Sequence, residues 1–213
     1  MKKTSTKPKG ATSYKETSFG IIPRSRLLKL ELRGTMKGLD FIYELLKKDK
    51  TIKITPELIC KLHNVSFGWI FPDWAGKYRT IQVTISGKEA PVYFKIPEMI
   101  INLCEDLAER LKHLPHSESE QFITEMVKLL AWFQHRFVFI HPFVDYNGRT
   151  ARMFTILLFL QYGLPPAEIK AETGADRKRY LDAMKEGDKG NLSLLENIIG
   201  QSLAEGLEKF LHS

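Results

Sequence analysis

HPFVDYNGRTAR, residues 141–152, packs a histidine, an aspartate, an asparagine, a glycine and two arginines into twelve positions. A solvated helix face can carry charge, but it has no use for a base, a hard oxygen ligand and several anion donors together. The flanks say where this mixture lies. SEQFITEMVKLLAWFQHRFVFI (119–140) repeats apolar residues at three- and four-residue spacing, and so does RTARMFTILLFLQYG (149–163) until Gly163 and the prolines of GLPP stop it. A short turn therefore joins a helix ending near Ile140 to one starting near Asn147. The second helix opens with backbone N–H groups that lack intrahelical partners, a ready site for an anion.

Working outward, the rest of the chain is helical apart from one segment. RLLKLELRG and MKGLDFIYELLKKD carry helical spacing from Ser25. In ITPELICKLHNVSFGWIF, Thr55 suits an N-cap and Pro56 the first helical position. PEMIINLCEDLAERLKHL, DRKRYLDAMKEG and SLLENIIGQSLAEGLEKFL supply three more helices. IQVTISGKEAPVYFKIP (81–97) alternates instead, turns at Gly87 and resumes with Val92, Tyr93 and Phe94, which predicts a β-hairpin. The expected fold is all-α with one hairpin inserted before the 141–152 loop. Residues 1–50 read as an N-terminal extension and helix, with 1–15 frayed, and 51–213 as the core.

Composition excludes some classes. With 213 residues, 43% hydrophobic and 27% charged, the chain suits one domain of ordinary globular make-up. The net charge of +7 invites a nucleic-acid partner. Four lysines lie in MKKTSTKPK and four in KKDKTIK, so the excess is local and nucleic acid is disfavoured. Cys60 and Cys104 show no paired spacing, which fits a reducing, cytoplasmic setting without a disulfide framework. No apolar run follows the basic N-terminus, and MFTILLFL (153–160) is too short to span a membrane.

The residue types in 141–152 fit phosphate chemistry. His141 can act as a general base near neutral pH. Asp145 suits Mg²⁺, which shares its shell between a carboxylate and substrate phosphates. Gly148 lets backbone approach a phosphate closely. Arg149 and Arg152 lie three apart on one helical face and can grip a polyphosphate. Base, metal ligand, anion hole and cation clamp together point to nucleotidyl or phosphoryl transfer.

This stretch resembles the Fic family signature, His-Pro-Phe-x-Asp/Glu-Gly/Ala-Asn-Gly-Arg-x-x-Arg, departing from it at Tyr146, where a small residue is usual. ITPELICKLH, IFPDWAGKYRT, RFVFIHPF and GNLSLLENII resemble further Fic core segments. The resemblance implies a Fic-type helical bundle and an adenylyltransferase using ATP with Mg²⁺. In it His141 deprotonates a Tyr, Thr or Ser hydroxyl of a target protein, and Asp145 holds the metal. Asn147 and the Gly148 amide form the anion hole, Arg149 and Arg152 hold the outer phosphates, and Phe143 anchors the loop. The hairpin is similar to the family's flap, which docks the target as an added strand through Thr84, Ile85, Ser86, Gly87, Val92 and Tyr93. Tyr180 falls where such proteins contact the adenine side. Gly148 and Arg152 favour AMP transfer over the Doc-type kinase branch, which has Lys at the first position and lacks the second arginine. At Tyr146, narrowing of the site, stacking on the nucleotide and a solvent-facing ring all stay open.

Many Fic proteins restrain themselves with a glutamate in Ser/Thr-x-x-x-Glu-Gly/Asn. Here TSYKET (12–17) has Thr12 and Glu16 at the right spacing, with Thr17 in place of Gly or Asn. The expectation is that Glu16 reaches Arg152. A separate antitoxin, a homo-oligomer, removal of AMP, transfer of UMP or phosphoryl, and a non-enzymatic nucleic-acid-binding regulator on the same scaffold are the alternatives. His113 and His116, separated by Pro115, do not form a convincing metal pair, and His135 reads as a core histidine.

Overall fold

The structure is a computed structural model describing residues 14–85, 87–172 and 174–212. Seven helices and two small hairpins follow one another along the described chain. β1 (Tyr14–Thr17) and β2 (Gly20–Pro23) lead into α1 (Arg24–Lys48) and α2 (Pro56–Phe67). β3 (Thr84–Ile85) and β4 (Lys88–Glu89) precede α3 (Ile96–Lys112). α4 (Phe122–Ile140), α5 (Asn147–Gln161), α6 (Gly174–Gly187) and α7 (Ser193–Leu211) complete the order. No helix among the described residues is long and apolar enough to cross a membrane.

α4 and α5 form the centre. α4 buries Phe122, Met126, Leu130, Phe133, Phe137 and Ile140, while α5 buries Ala151, Met153, Phe154, Leu157 and Leu158. A helix apolar around most of its girth must be covered on several sides, and α1, α3 and α7 pack against this pair. One polar contact crosses the centre, from Gln134 Nε2 to Thr155 Oγ1 at 3.0 Å. Thr55 caps α2 as its sequence predicts, accepting from the Leu58 amide at 3.2 Å, and Pro56 opens the helix. Gly163, at φ +74, ends the α5 segment where the sequence places the stop.

α1 runs unbroken through Gly34 and Gly38. A Cβ on Gly34 would lie 2.4 Å from the Ser66 carbonyl oxygen, and one on Gly38 would lie 2.5 Å from Met153 Sδ. These glycines let α1 lie directly on α2 and α5, a gain that outweighs their low helix propensity.

The hairpin count is corrected from one to two. β1 and β2 pair antiparallel with Thr17 opposite Gly20. The Ser18 amide donates to the Ile70 carbonyl at 2.8 Å, and Phe19 meets Trp69 edge-on at 5.9 Å. This hairpin rests on tertiary contacts, which no turn dipeptide announces. The inserted hairpin is also shorter than its alternation suggests. Thr84 pairs with Glu89 and Ile85 with Lys88, whereas Tyr93–Lys95 forms a 3₁₀ turn entering α3. Pro91 ends the alternation by removing a backbone donor, so Val92 and Tyr93 lie outside the paired strands.

Candidate active site

The 141–146 loop between α4 and α5 begins and ends with left-handed residues, His141 at φ 51° and Tyr146 at φ 60°. Such backbone is costly for side chains other than glycine and persists only where neighbours over-determine it. Here they do. Arg79, buried ahead of the β3–β4 hairpin, donates from Nε to the His141 carbonyl at 2.8 Å, and its amide donates to the Pro142 carbonyl at 2.9 Å. The same guanidinium donates to the Ile81 and Pro91 carbonyls, so one side chain joins both ends of the hairpin to the loop. Nothing in the local pattern singles out Arg79. Its sequence signal is no more than a charged residue in a turn that breaks a helix.

His63 of α2 fixes the other side of the loop. Its Nδ1 accepts from the Gly76 amide at 2.8 Å, which leaves the proton on Nε2 to donate to the Asp145 carbonyl at 3.0 Å. The ring stacks on Phe143 at 3.8 Å between centroids. Burial drives its pKa down to about 4, against smaller opposing effects of Asp145. Phe143 is buried, as expected of a loop anchor. Asn147 is buried too, and its amide group closes a ring with Phe143: Oδ1 accepts the Phe143 amide at 2.9 Å and Nδ2 donates to the Phe143 carbonyl at 2.9 Å. In this structure the Asn147 side chain folds the loop, and the anion-hole donors on offer are backbone amides at the start of α5, including that of Gly148.

His141 Nδ1 lies 3.2 Å from the Val138 carbonyl. A carbonyl only accepts, so Nδ1 carries the proton and Nε2 keeps its lone pair. Burial lowers the pKa of the imidazole, Arg79 adds to the lowering, and Val138 and Asp145 oppose it. At neutral pH the ring is a free base. Asp145 Oδ1 accepts the Tyr146 amide at 2.7 Å. Among the described residues no three His, Cys, Asp or Glu side chains gather as a metal cage. One half-buried carboxylate beside an anion site still suits Mg²⁺, whose other ligands come from phosphates and water.

Both motif arginines face carboxylates. Arg149 Nη2 lies 2.6 Å from Glu172 Oε2 and 3.2 Å from Glu31 Oε2, and Arg152 Nη2 pairs with Glu172 Oε1. Burial pushes the Glu172 carboxyl up, but the two guanidiniums outweigh it and hold the group below its ordinary value. Glu31 is fully buried on α1 and also receives Arg24 Nη1 at 2.6 Å and the Tyr146 hydroxyl at 2.8 Å. Tyr146 therefore does none of the three things its position suggested. Its ring is buried in the core, stacked on Phe67 at 4.2 Å and Trp74 at 6.0 Å. Burial, then Glu31, raises its phenol pKa.

Glu16 is exposed on β1, and the carboxylate on Arg152 comes from Glu172 in the α5–α6 connection. Thr12 and the flap residue Ser86 lie outside the described residues. Glu31 and Glu172 were missed because a contact between α1 and α5, and one across twenty positions of chain, leave no local pattern.

Tyr180 is buried, and the Arg152 guanidinium carbon lies 5.5 Å from its ring centroid. It lines a cavity of about 180 Å³ bounded by Ile85, Ala90, Phe139 and Met184, between the β3–β4 hairpin and α6. Thr84, Gly87, Val92 and Tyr93 are exposed on the same hairpin segment. Away from this region, His113 Nε2 meets Glu109 at 3.1 Å on the surface.

A helical bundle whose central pair is joined by a histidine-headed loop, opening a helix with two arginines in its first turns, defines the Fic class of fold. The chain belongs to the Fic/DOC family, whose sequence model matches residues 53–159. It is 27% identical over 173 residues to the protein adenylyltransferase Fic of Nematostella vectensis, covering 81% of this chain and 38% of that one. It is 30% identical over 158 residues to the protein adenylyltransferase fic-1 of Caenorhabditis briggsae, covering 74% and 29%. The solved structure of Fic-1, residues 134–508, from C. elegans superposes with a TM-score of 0.65 at 25% identity, over 85% of this chain and 50% of that chain. The chain thus spans less than two fifths of the length of these curated relatives.

Proposed function

We propose that this chain is a protein adenylyltransferase that moves AMP from ATP to a hydroxyl of a target protein. The observation that carries the reading is the His141 tautomer, a half-buried base with Nε2 unprotonated, on the loop that opens the anion-binding end of α5. His141 Nε2 takes the proton of a Tyr, Thr or Ser hydroxyl as its oxygen bonds to the α-phosphorus. The bond to the β-phosphate bridging oxygen breaks, and pyrophosphate leaves with the electron pair. Amides at the head of α5 hold charge that develops on the α-phosphate, and Arg149 and Arg152 hold the leaving pyrophosphate. Mg²⁺, held by Asp145, would neutralise phosphate charge when bound.

The cavity beside Tyr180 offers the base of ATP an apolar slot, and the β3–β4 hairpin offers exposed strand edges to a target segment. The names of the relatives support ATP as the donor. Free Cys60 and Cys104 fit a cytoplasmic setting. The family's restraint on ATP falls, in our reading, to Glu172 and Glu31, because these carboxylates already occupy the arginines that a polyphosphate needs.

Intact-mass analysis after incubation with Mg²⁺ and ATP tests the reading. Protein that gains one AMP, on itself or on a supplied target, and loses the gain in His141→Ala supports it. An adduct of phosphate alone would replace it with phosphoryl transfer.

A further inference from the structure

Lys88, Asp188 and His135 come from β4, the turn just after α6, and α4, and they meet at one carboxylate. Lys88 Nζ lies 2.9 Å from Asp188 Oδ2, across one hundred residues of chain. His135 Nε2 lies 3.1 Å from the other oxygen, Oδ1. The Asp188 amide donates to the Met184 carbonyl at 3.1 Å, which fixes the backbone that presents the carboxylate. Burial raises the Asp188 carboxyl, and Lys88 and His135 more than reverse it, leaving the group ionised below its ordinary value. Gly187 makes the approach feasible, because a Cβ there would lie 2.4 Å from the His135 ring. His135 is therefore more than a filled core position: it holds the acid that holds the hairpin.

That hairpin has little of its own to stay in place. Its two strands pair over two residues each, and the Ala90 amide adds one bond to the Val83 carbonyl at 3.0 Å. Isolated hairpins of this size are marginal in water. Arg79 fixes its base, and Lys88 reaches out from its far strand to Asp188. Lys88 and Asp188 both lie on the rim of the 180 Å³ cavity whose floor includes Phe139, Tyr180 and Met184.

We infer that Asp188, held by His135, is a positioning residue that straps the β3–β4 hairpin across the base-side cavity and so preforms the slot for the donor's base. This deepens the AMP-donor reading and rests on it for the identity of the ligand. A preformed slot lowers the ordering cost of binding. The strap should therefore act on ATP affinity and leave the chemistry at His141 unchanged.

Lys88→Ala, Asp188→Asn, the double variant and Lys88→Arg test it in two assays. The first is hydrogen exchange at the Ala90 amide without nucleotide, which needs no activity. A half-exposed ion pair predicts about two- to fivefold faster exchange in either single variant. The double variant should be no faster than the faster single, and Lys88→Arg should restore the wild-type rate. The second assay is steady-state AMP transfer. KM for ATP should rise about two- to fivefold in the singles by the same reckoning, with kcat unchanged. Unchanged exchange, or effects that add in the double variant, would overturn the strap. If the wild type binds no ATP, the donor reading fails, while the exchange result still decides whether the strap exists.

Discussion

Acid should loosen this protein through His63, a residue that performs no chemistry. The imidazole is fully buried, accepts the Gly76 amide at Nδ1 and donates from Nε2 to the Asp145 carbonyl. A second proton would have to enter at Nδ1, where it would face the Gly76 N–H. The folded chain therefore resists protonation down to about 4, against the ordinary histidine value of 6.5. Between those values the unfolded chain holds the extra proton, so stability rises with pH across the window. It is whole above about pH 6.5 and drains away as pH falls toward 4. At about 1.4 kcal/mol per pH unit the full window is worth about 3 kcal/mol, and about 2 kcal/mol of it should go between pH 7 and pH 5. Urea unfolding of wild type and His63→Gln at half-unit steps from pH 7.5 to 4.5 measures this. The variant's overall level is irrelevant. The readout is the slope, because His141 and the carboxylates titrate in both proteins. Wild type should lose about 2 kcal/mol more than the variant between pH 7 and 5. Parallel curves would refute the account of His63 as a neutral clamp on the loop.

Arg79→Met should cost about 3 kcal/mol in chemical denaturation, because it removes a buried guanidinium and strips its three hydrogen bonds from the carbonyls of His141, Ile81 and Pro91. Tyr146→Phe should cost about 1–3 kcal/mol by thermal unfolding, since Glu31 loses a hydrogen bond inside the core. Glu172→Ala should lower the Kd for ATP about two- to fivefold, a half-exposed carboxylate having been removed from both arginines. The acid limb of the pH–rate profile should lie below the ordinary histidine value, because burial and Arg79 lower the His141 pKa; a limb above pH 6.5 would contradict the assignment of His141 as the base.

What the sequence could and could not reveal divides by the range of the interaction. His141, Asp145, Gly148, Arg149 and Arg152 lie in one turn and the helix after it, so their spacing carries their geometry directly. The Thr55 cap, Pro56 and the stop at Gly163 are equally local, and each stands where the residues put it. The partners that hold these groups are not local. Arg79, His63, Glu31 and Glu172 reach the loop from other elements, and each looks ordinary among its own neighbours. Tyr146 shows the cost of arguing from position alone. Beside the anion hole its ring could face only the site or the solvent, yet a positive φ swings it into Phe67, Trp74 and Glu31. Glu16 shows the converse: the right spacing in sequence, on a strand that points it at water. The same α1 that carries Gly34 and Gly38 for close packing carries Glu31 to Arg149. The close approach of that helix thus brings the Glu31 carboxylate to Arg149, which ties the state of the motif arginines to the docking of α1.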